Sequence, residues 1–342
     1  MEKLIWLGQQ YFADELENCG WSQIFIHDFA KPRVFSWKDL LDLAGFVPDV
    51  VVVADKSMPP FLLGMEDFPC LTVFYSIDAH IHSWQPLYAQ GFDACLLSLL
   101  DFKQKFAGPF LEENRIWHSP PFARPEDKPV PGAIKKWDGL FVGKLDEELM
   151  PKRVRFLNDL KKLVPGIHLT SGDYRPLFPQ ARVILNHAEN GDLNFRVFEA
   201  MGCGGCLLTP RLNHGLQQMF VDGEHLLFYA PDDPGDAAYR LNFIIKHPDI
   251  GEHIGAEALK IIDEKHRAIH RAQSLTDHLC DLYMAGAHDI IAGRRNRAPT
   301  IRKECLGMPY LLWANEIGDE SMKRAYLAAA KGEFGLAGVR SD

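Results

Sequence analysis

The chain has 342 residues, 47% of them hydrophobic, 11% aromatic and 24% charged, enough apolar material for a full core. At roughly 100–200 residues per domain, this length predicts two domains. Asp and Glu outnumber Lys and Arg by 46 to 37, a net charge of -9. That balance argues against a protein that grips nucleic acid by its phosphates, and leaves open a local basic site for a small anion.

The opening residues, Met1 to Gly8, hold too short an apolar run for a signal peptide, and Asp14 and Glu15 follow closely. No stretch reaches the ~18 apolar residues of a transmembrane helix, so any membrane contact is expected to be peripheral. Seven cysteines, an odd number, suggest no disulfide framework in a chain this long. The expectation is a cytoplasmic protein with reduced thiols.

Short β-rich runs recur with helical stretches between them, which predicts an α/β fold with parallel sheets. In the first half the strands are expected at 4–7, 24–27, 50–54, 71–76, 94–97 and 116–118. The run Val50-Val51-Val52-Val53 is apolar on both faces, as in a strand covered by helices on both sides. Residues 120–137 break the pattern with Pro120, Pro121, Pro125, Pro129 and Pro131 among charges, and read as a linker. A second series of strands is expected at 140–143, 168–170, 182–185, 206–209 and 226–229. Between them 151–164 reads as a helix, with Val154, Leu157, Leu160 and Val164 on one face. Residues 252–285 predict one or two long helices, and 304–335 further helices ending at Gly. The architecture expected is two Rossmann-like doubly wound domains, 1–121 and 138–285, joined by the linker 122–137 and followed by a helical tail, 286–342. Their strand ends would face a cleft, where open α/β sheets bind ligands.

The most informative segment is NHAENGDLNFRVFEAMGCGGCLLT, Asn186 to Thr209. It reads as a strand end, a polar loop, a short helix from about Asn194 to Met201, and a Gly-rich turn into the next strand. Asp192 or Asn194 is placed to cap that helix, whose free N–H groups suit a phosphate. Arg196 falls in the first turn, where the helix dipole disfavours a cation by about 0.3–1 kcal/mol unless an anion binds there. Glu199 is three residues on, on the same face, and is suited to a sugar's vicinal hydroxyls. A plain intrahelical Arg196–Glu199 pair is the alternative from spacing alone.

The segment LNFRVFEAMGCGGCLLT, with HGLQQMFVDGEHLLFY after it, resembles the donor-binding half of group 1 (family 4-like) glycosyltransferases of the GT-B fold. It is most similar to the CgeB-like, spore-maturation-type branch. Asn194, Arg196, Phe198, Glu199, Ala200, Cys203 and Gly204 match its N-x-R-x-F-E-A-x-x-C-G pattern. The likeness is specific over about 186–230 and looser from Leu140 to about 280, while the first half is matched by architecture alone. The resemblance implies that Glu199 holds the donor's ribose. It places Gly143 and Lys144 against the diphosphate, with Arg153 on the next helix and Arg196 as further partners, and Asn194 at the helix start. Gly191 stands where the wider family has another glutamate, and the nearby acids Glu189 and Asp192 are out of register.

In the first half, YSIDAHIHSW from Tyr75 to Trp84 puts Asp78, His80 and His82 at a strand's C-terminal end. They are candidates for the acceptor-side catalytic groups. A turn with helix-capping polar groups is the plainer reading, and His80-x-His82 as a metal pair lacks a third ligand in register.

Other motifs carry less. Cys203-x-x-Cys206 has no second pair to complete a zinc site and falls in a packed turn. Gly139 to Lys144 is too short for a P-loop, and no GxGxxG occurs. No Asp-x-Asp occurs, which argues against the metal-dependent GT-A type, so no metal cofactor is expected. The run Arg294, Arg295, Arg297, Arg302 and Lys303 around Pro299 reads as a solvated loop, or as a docking site for an acidic partner or membrane surface.

The function these features imply is a hexosyltransferase-type glycosyltransferase. It would move a sugar from a UDP-, GDP- or dTDP-sugar to a saccharide, lipid-linked or protein acceptor, without a metal and, by resemblance, with retention. A non-catalytic GT-B-like scaffold or sensor and a sugar-nucleotide epimerase are the alternatives.

Overall fold

The structure, a computed structural model, describes residues 2–333. It divides into two compact units, Met1–Ser119 together with the chain from Ala272 onward, and Pro120–Arg271.

The first unit contains β1 (Lys3–Gly8), β2 (Gln23–His27), α1 (Trp37–Ala44), β3 (Val50–Ala54), β4 (Leu71–Ser76), α2 (Gln85–Ala89), β5 (Ala94–Leu97), α3 (Lys103–Phe106) and β6 (Ile116–His118). Its strands form one parallel sheet in the order β2-β1-β3-β4-β5-β6. The order reverses at β1, so the ligand crevice such a sheet offers lies beyond the C-terminal ends of β1 and β3. Val50 to Val53 are fully buried, as their apolar run requires.

The second unit contains β7 (Trp137–Val142), α4 (Pro151–Leu163), β8 (Ile167–Thr170), β9 (Ala181–Leu185), α5 (Phe195–Gly202), β10 (Cys206–Pro210), α6 (Leu216–Met219), β11 (Leu227–Tyr229), α7 (Pro234–Lys246) and α8 (Pro248–Lys265). The sheet order is β11-β10-β9-β7-β8, again all parallel, with its reversal between β7 and β9. Helices α4 and α7 pack together, as do α5 and α8. Cys203 and Cys206 stay free and buried in the turn that enters β10.

All eleven expected strands form; the connections between and after the sheets differ from expectation. The proline-rich stretch is no free linker in its first part. Phe122 and Ala123 are buried, and Ala123 bridges to the turn after α8 through its N–H to His266 O (3.0 Å) and its carbonyl from Ala268 N (3.0 Å). Arg271 donates to the carbonyls of Pro120 (2.8 Å) and Pro121 (3.1 Å), and Arg267 to those of Arg124 (2.9 Å) and Asp127 (2.7 Å). Proline fixes φ and removes donors, but its carbonyl remains a full acceptor, and Arg271 collects two of them.

The C-terminal helices are part of the first unit. After α9 (Ala268–Met284) come α10 (Ala287–Ile301), α11 (Gly307–Glu316) and α12 (Glu320–Lys331). Ile301, Leu306, Tyr310 and Tyr326 sit in the same apolar core as Val51, Phe74 and Phe92. The basic run is therefore helical and not a loop: Arg295, Arg297 and Lys303 are exposed, while Arg294 and Arg302 are tied into the first unit. Arg294 is 3% exposed on α10, paired with Asp93 and donating to Thr72 Oγ1 (2.6 Å) and the carbonyls of Phe68 and Cys70. Arg302 pairs with Glu66 (2.7 Å) and Asp67 (2.5 Å). Pro299 lies inside α10, and the next turn, Arg302–Leu306, widens to a π-helix. Among the described residues no helix is long and apolar enough to cross a membrane.

Candidate functional site

The reversal point of the second sheet is occupied by Arg196. From the first turn of α5 its side chain reaches back to β7, with Nε donating to Val142 O (2.9 Å) and Nη1 to Asn186 Oδ1 (2.8 Å). Asn186 is fixed in turn, its amide donating to Thr209 Oγ1 (3.0 Å) and its carbonyl accepting from Tyr229 (2.8 Å). The guanidinium lies 4.4 Å from the Phe141 ring centroid, and Arg153 shares that ring at 5.8 Å. Burial, with the Arg153 charge adding to it, lowers the Arg196 pKa to about 10. Two cations held this close with little water favour an anionic ligand. Arg196 spends its bonds on Val142 and Asn186, so the plain intrahelical pair with Glu199 is not what it forms.

Glu199, one turn further along α5, belongs to a second cluster. Tyr174, from the loop after β8, donates to Asp127 Oδ1 (2.8 Å) and lies near the Glu199 carboxyl. Arg175 stands 2.9 Å from the same Asp127 oxygen. Burial and the nearby Asp127 push the Glu199 carboxyl up to about 7, against the pull of Arg196. Asp127 is 0% exposed. It sits in the stretch read as linker, so sequence reasoning had no reason to place it beside Glu199.

Arg153 is 8% exposed on α4, with Nη1 on Lys144 O (3.4 Å) and Nε without a partner. Lys144 is exposed beside Asp146 (3.9 Å), and Gly143 packs directly under Arg196. Asn194 is the N-cap of α5 by backbone conformation only. Its side chain makes no capping bond, and both amide atoms are buried and unpartnered. The six residues singled out in this half, Gly143, Lys144, Arg153, Asn194, Arg196 and Glu199, all lie beyond the C-terminal ends of β7 and β9 or on the helices that follow.

The other three, Asp78, His80 and His82, gather in the first unit after β4. The Asp78 carboxylate accepts from Ser57 Oγ, and burial raises its pKa. The backbone carbonyl of Asp78 takes the N–H groups of Ile81 (2.9 Å) and His82 (3.1 Å) to form a turn. Neither histidine caps α2, whose N-cap is Trp84 without a side-chain bond. His80 Nδ1 and His82 Nε2 are buried and unpartnered. Among the described residues no three His, Cys, Asp or Glu side chains are grouped to hold a metal. Asp55, which the sequence did not flag, organises this corner. Its carboxylate accepts from Ser57 N (2.9 Å), Asp78 N (3.0 Å) and Gln85 Nε2 (2.8 Å).

Backbone strain falls at the same ends of the strands. The non-glycine residues with positive φ among those described are Tyr11, Ser57, His214 and Asp232. They follow β1, β3, β10 and β11, and strain of this kind persists where the surroundings over-determine it, often at functional sites.

Solved structures share this architecture. HepE of Anabaena, in a complex with UDP and glucose, superposes with a TM-score of 0.58 at 13% identity, covering 82% of this chain and 100% of that one. Sucrose-phosphate synthase of Thermosynechococcus elongatus gives 0.57 at 11% identity, over 84% and 100%. A glycosyltransferase of Rickettsia africae gives 0.53 at 8%, over 81% and 98%. The fold is GT-B. Within the GT-B chain, residues 135–277 also match a family model described as glycosyl transferase-like. That span takes in all five strands of the second unit and both arginines on the Phe141 ring. No curated protein matches the chain in sequence.

Proposed function

We propose that this GT-B protein is a glycosyltransferase that moves a sugar from a nucleoside-diphosphate sugar to an acceptor hydroxyl. The observation that supports the reading is the placement of Arg153, Arg196, Asn194 and Glu199 after the C-terminal ends of β7 and β9, inside the span matched by the glycosyl transferase-like family. In this reading Glu199, as a carboxylate, accepts hydrogen bonds from the ribose. Arg153, Arg196 and Lys144, with the first N–H groups of α5, stabilise charge developing on the departing diphosphate, donors fixed before reaction begins. Asp78, His80 and His82 meet the acceptor hydroxyl. A retaining, metal-independent hexosyl transfer in the CgeB-like manner, in the cytoplasm, is the finer form of the proposal. UDP is the first nucleotide to try, since HepE is described with UDP and with UDP-glucose.

A binding protein without turnover is the second reading, favoured by Gly191. It takes the family glutamate's place with φ +74°, a conformation that suits glycine and disfavours an acid. Thermal-shift titration with UDP, GDP, dTDP and their glucose conjugates tests both. Stabilisation by one nucleotide, lost in Glu199→Gln, supports donor binding, because selective binding raises apparent stability. Release of free nucleotide from the matching sugar conjugate then separates enzyme from binder. Unchanged nucleotide affinity in Glu199→Gln and Arg196→Lys overturns the site.

A further inference from the structure

Helix α4 begins without a cap from its own flanking residues: Met150 stands at the N-cap with no side-chain bond. The cap comes from elsewhere. Glu189, in the loop between β9 and α5, receives Lys152 N on one carboxylate oxygen (3.0 Å) and Arg153 N on the other (2.8 Å). Two adjacent N–H groups at a helix start, each donating to a different oxygen of one anion, are the arrangement by which helices hold phosphate. Two nearly buried side chains beside this seat have a donor or acceptor unused. Arg153 is 8% exposed with Nε unpartnered, and His187 is 2% exposed with Nδ1 unpartnered. His187 lines a cavity of about 270 Å³ together with Lys152, Glu189, Asn190 and Asp232. Its other ring nitrogen stands 3.4 Å from Asp232, one of the strained residues.

We propose that the start of α4 is a phosphate seat, formed by Lys152 N, Arg153 N and the Arg153 guanidinium, and that Glu189 fills it in the empty protein as the chain's own substitute for a phosphate group. The inference rests on the donor-binding reading, and adds that the diphosphate must displace a carboxylate to enter. Gly191, at φ +74° with nothing within 4 Å of where a Cβ would stand, gives the loop carrying Glu189 room to turn aside. Asp192 attracts both the Arg153 and the Arg196 guanidinium, and Glu189 adds its charge at Arg153. Glu189 thus shares in offsetting the Arg153 charge until the ligand arrives, and sets the affinity the ligand must exceed.

The test compares wild type with Glu189→Gln and Glu189→Ala by calorimetric titration of UDP, GDP, dTDP and inorganic pyrophosphate. Unliganded melting temperatures are recorded alongside. Removing the internal competitor is expected to tighten binding of the accepted diphosphate about two- to tenfold. The melting point of the empty variants should fall, since a helix loses its cap. Opposite movement of the two quantities is the signature, because a merely structural role for Glu189 would weaken both. Weaker or unchanged diphosphate binding in both variants overturns the seat. Tighter pyrophosphate binding with no nucleoside diphosphate bound by any form supports the seat and sinks the donor reading. No binding of any of the four by any form overturns both.

Discussion

A Cβ added to Gly143 would lie 2.3 Å from Nη2 of Arg196. Glycine at this strand end thus leaves the space that the Arg196 guanidinium occupies, before any ligand is considered. The Gly-rich approach that the sequence assigned to a diphosphate is used first to let the guanidinium reach Val142 O. Gly143→Ala should push Arg196 off the Phe141 ring, costing about 1–3 kcal/mol in denaturant unfolding, as overpacking does. It should weaken nucleotide binding as strongly as Arg196→Lys does. Full nucleotide affinity in Gly143→Ala would separate Arg196 from ligand binding.

Glu199 gives a pH prediction. Its folded-state pKa, near 7, is above the ordinary 4.5, so the folded protein keeps this proton where the unfolded chain has released it. The stability this group allows is complete below about 4.5 and is lost as pH rises to 7. Glu199→Gln should therefore be more stable than wild type at pH 8, by about 1–3 kcal/mol, and nearly equal to it at pH 4.5. Nucleotide affinity moves the other way. If the ribose needs the carboxylate, wild-type affinity should rise about tenfold between pH 6 and pH 8, and Glu199→Gln should show no such slope. A flat wild-type profile would remove Glu199 from ribose binding.

Arg294 and Asp93 supply a prediction for the first unit. Both are nearly fully buried, and removing one partner of a buried pair leaves the other uncompensated. Arg294→Ala should cost about 3–5 kcal/mol in urea unfolding. Ending the chain at Gly286 should give insoluble protein, because α10 to α12 complete the core around Tyr310 and Tyr326. A soluble, cooperatively folding truncation would show these helices to be dispensable.

Legibility in the sequence follows the range of the forces involved. Strands such as Val50–Ala54 announce themselves because burial on both faces needs an unbroken apolar run. The α5 segment was legible because its chemistry lies within one helix and its flanking turns. What escaped depends on partners far apart in sequence. Arg294 reads as one charge in an exposed run until Asp93, two hundred residues earlier, is placed beside it. Pro120 and Pro121 read as a linker because their carbonyls, unlike their rings, leave no mark on composition, and Arg271 finds them only after the chain has closed. Asp127 leaves no mark for the same reason, and Glu189 shows in the sequence only as an acid out of register with the family's glutamate. Each is an unremarkable acid in a polar stretch, and becomes a site residue only through Tyr174 in one case and the start of α4 in the other.

Asp55 provides the sharpest test of the first unit. Its carboxylate, 2% exposed, gathers N–H groups from Ser57, Asp78 and Gln85, and more distantly Ile77 at 3.4 Å. These bonds hold Ser57 at its strained φ of +51° and turn Asp78 so that its carboxylate meets the Ser57 hydroxyl. Asp55→Ala would leave several buried donors unpaired and should cost about 3 kcal/mol or more. Asp55→Asn keeps one oxygen as acceptor and should cost less, while releasing Ser57 or Asp78 from its place. If this corner seats the acceptor, Asp55→Asn should lower transfer to the acceptor at least tenfold while leaving nucleotide affinity, set in the other unit, within twofold of wild type. Equal loss of transfer and of nucleotide binding would instead make Asp55 a general stabiliser of the chain. Ser57→Gly gives an independent check. Glycine accepts φ +51° freely, so the variant should fold as well as wild type, and any fall in transfer would then be due to the missing hydroxyl beside Asp78.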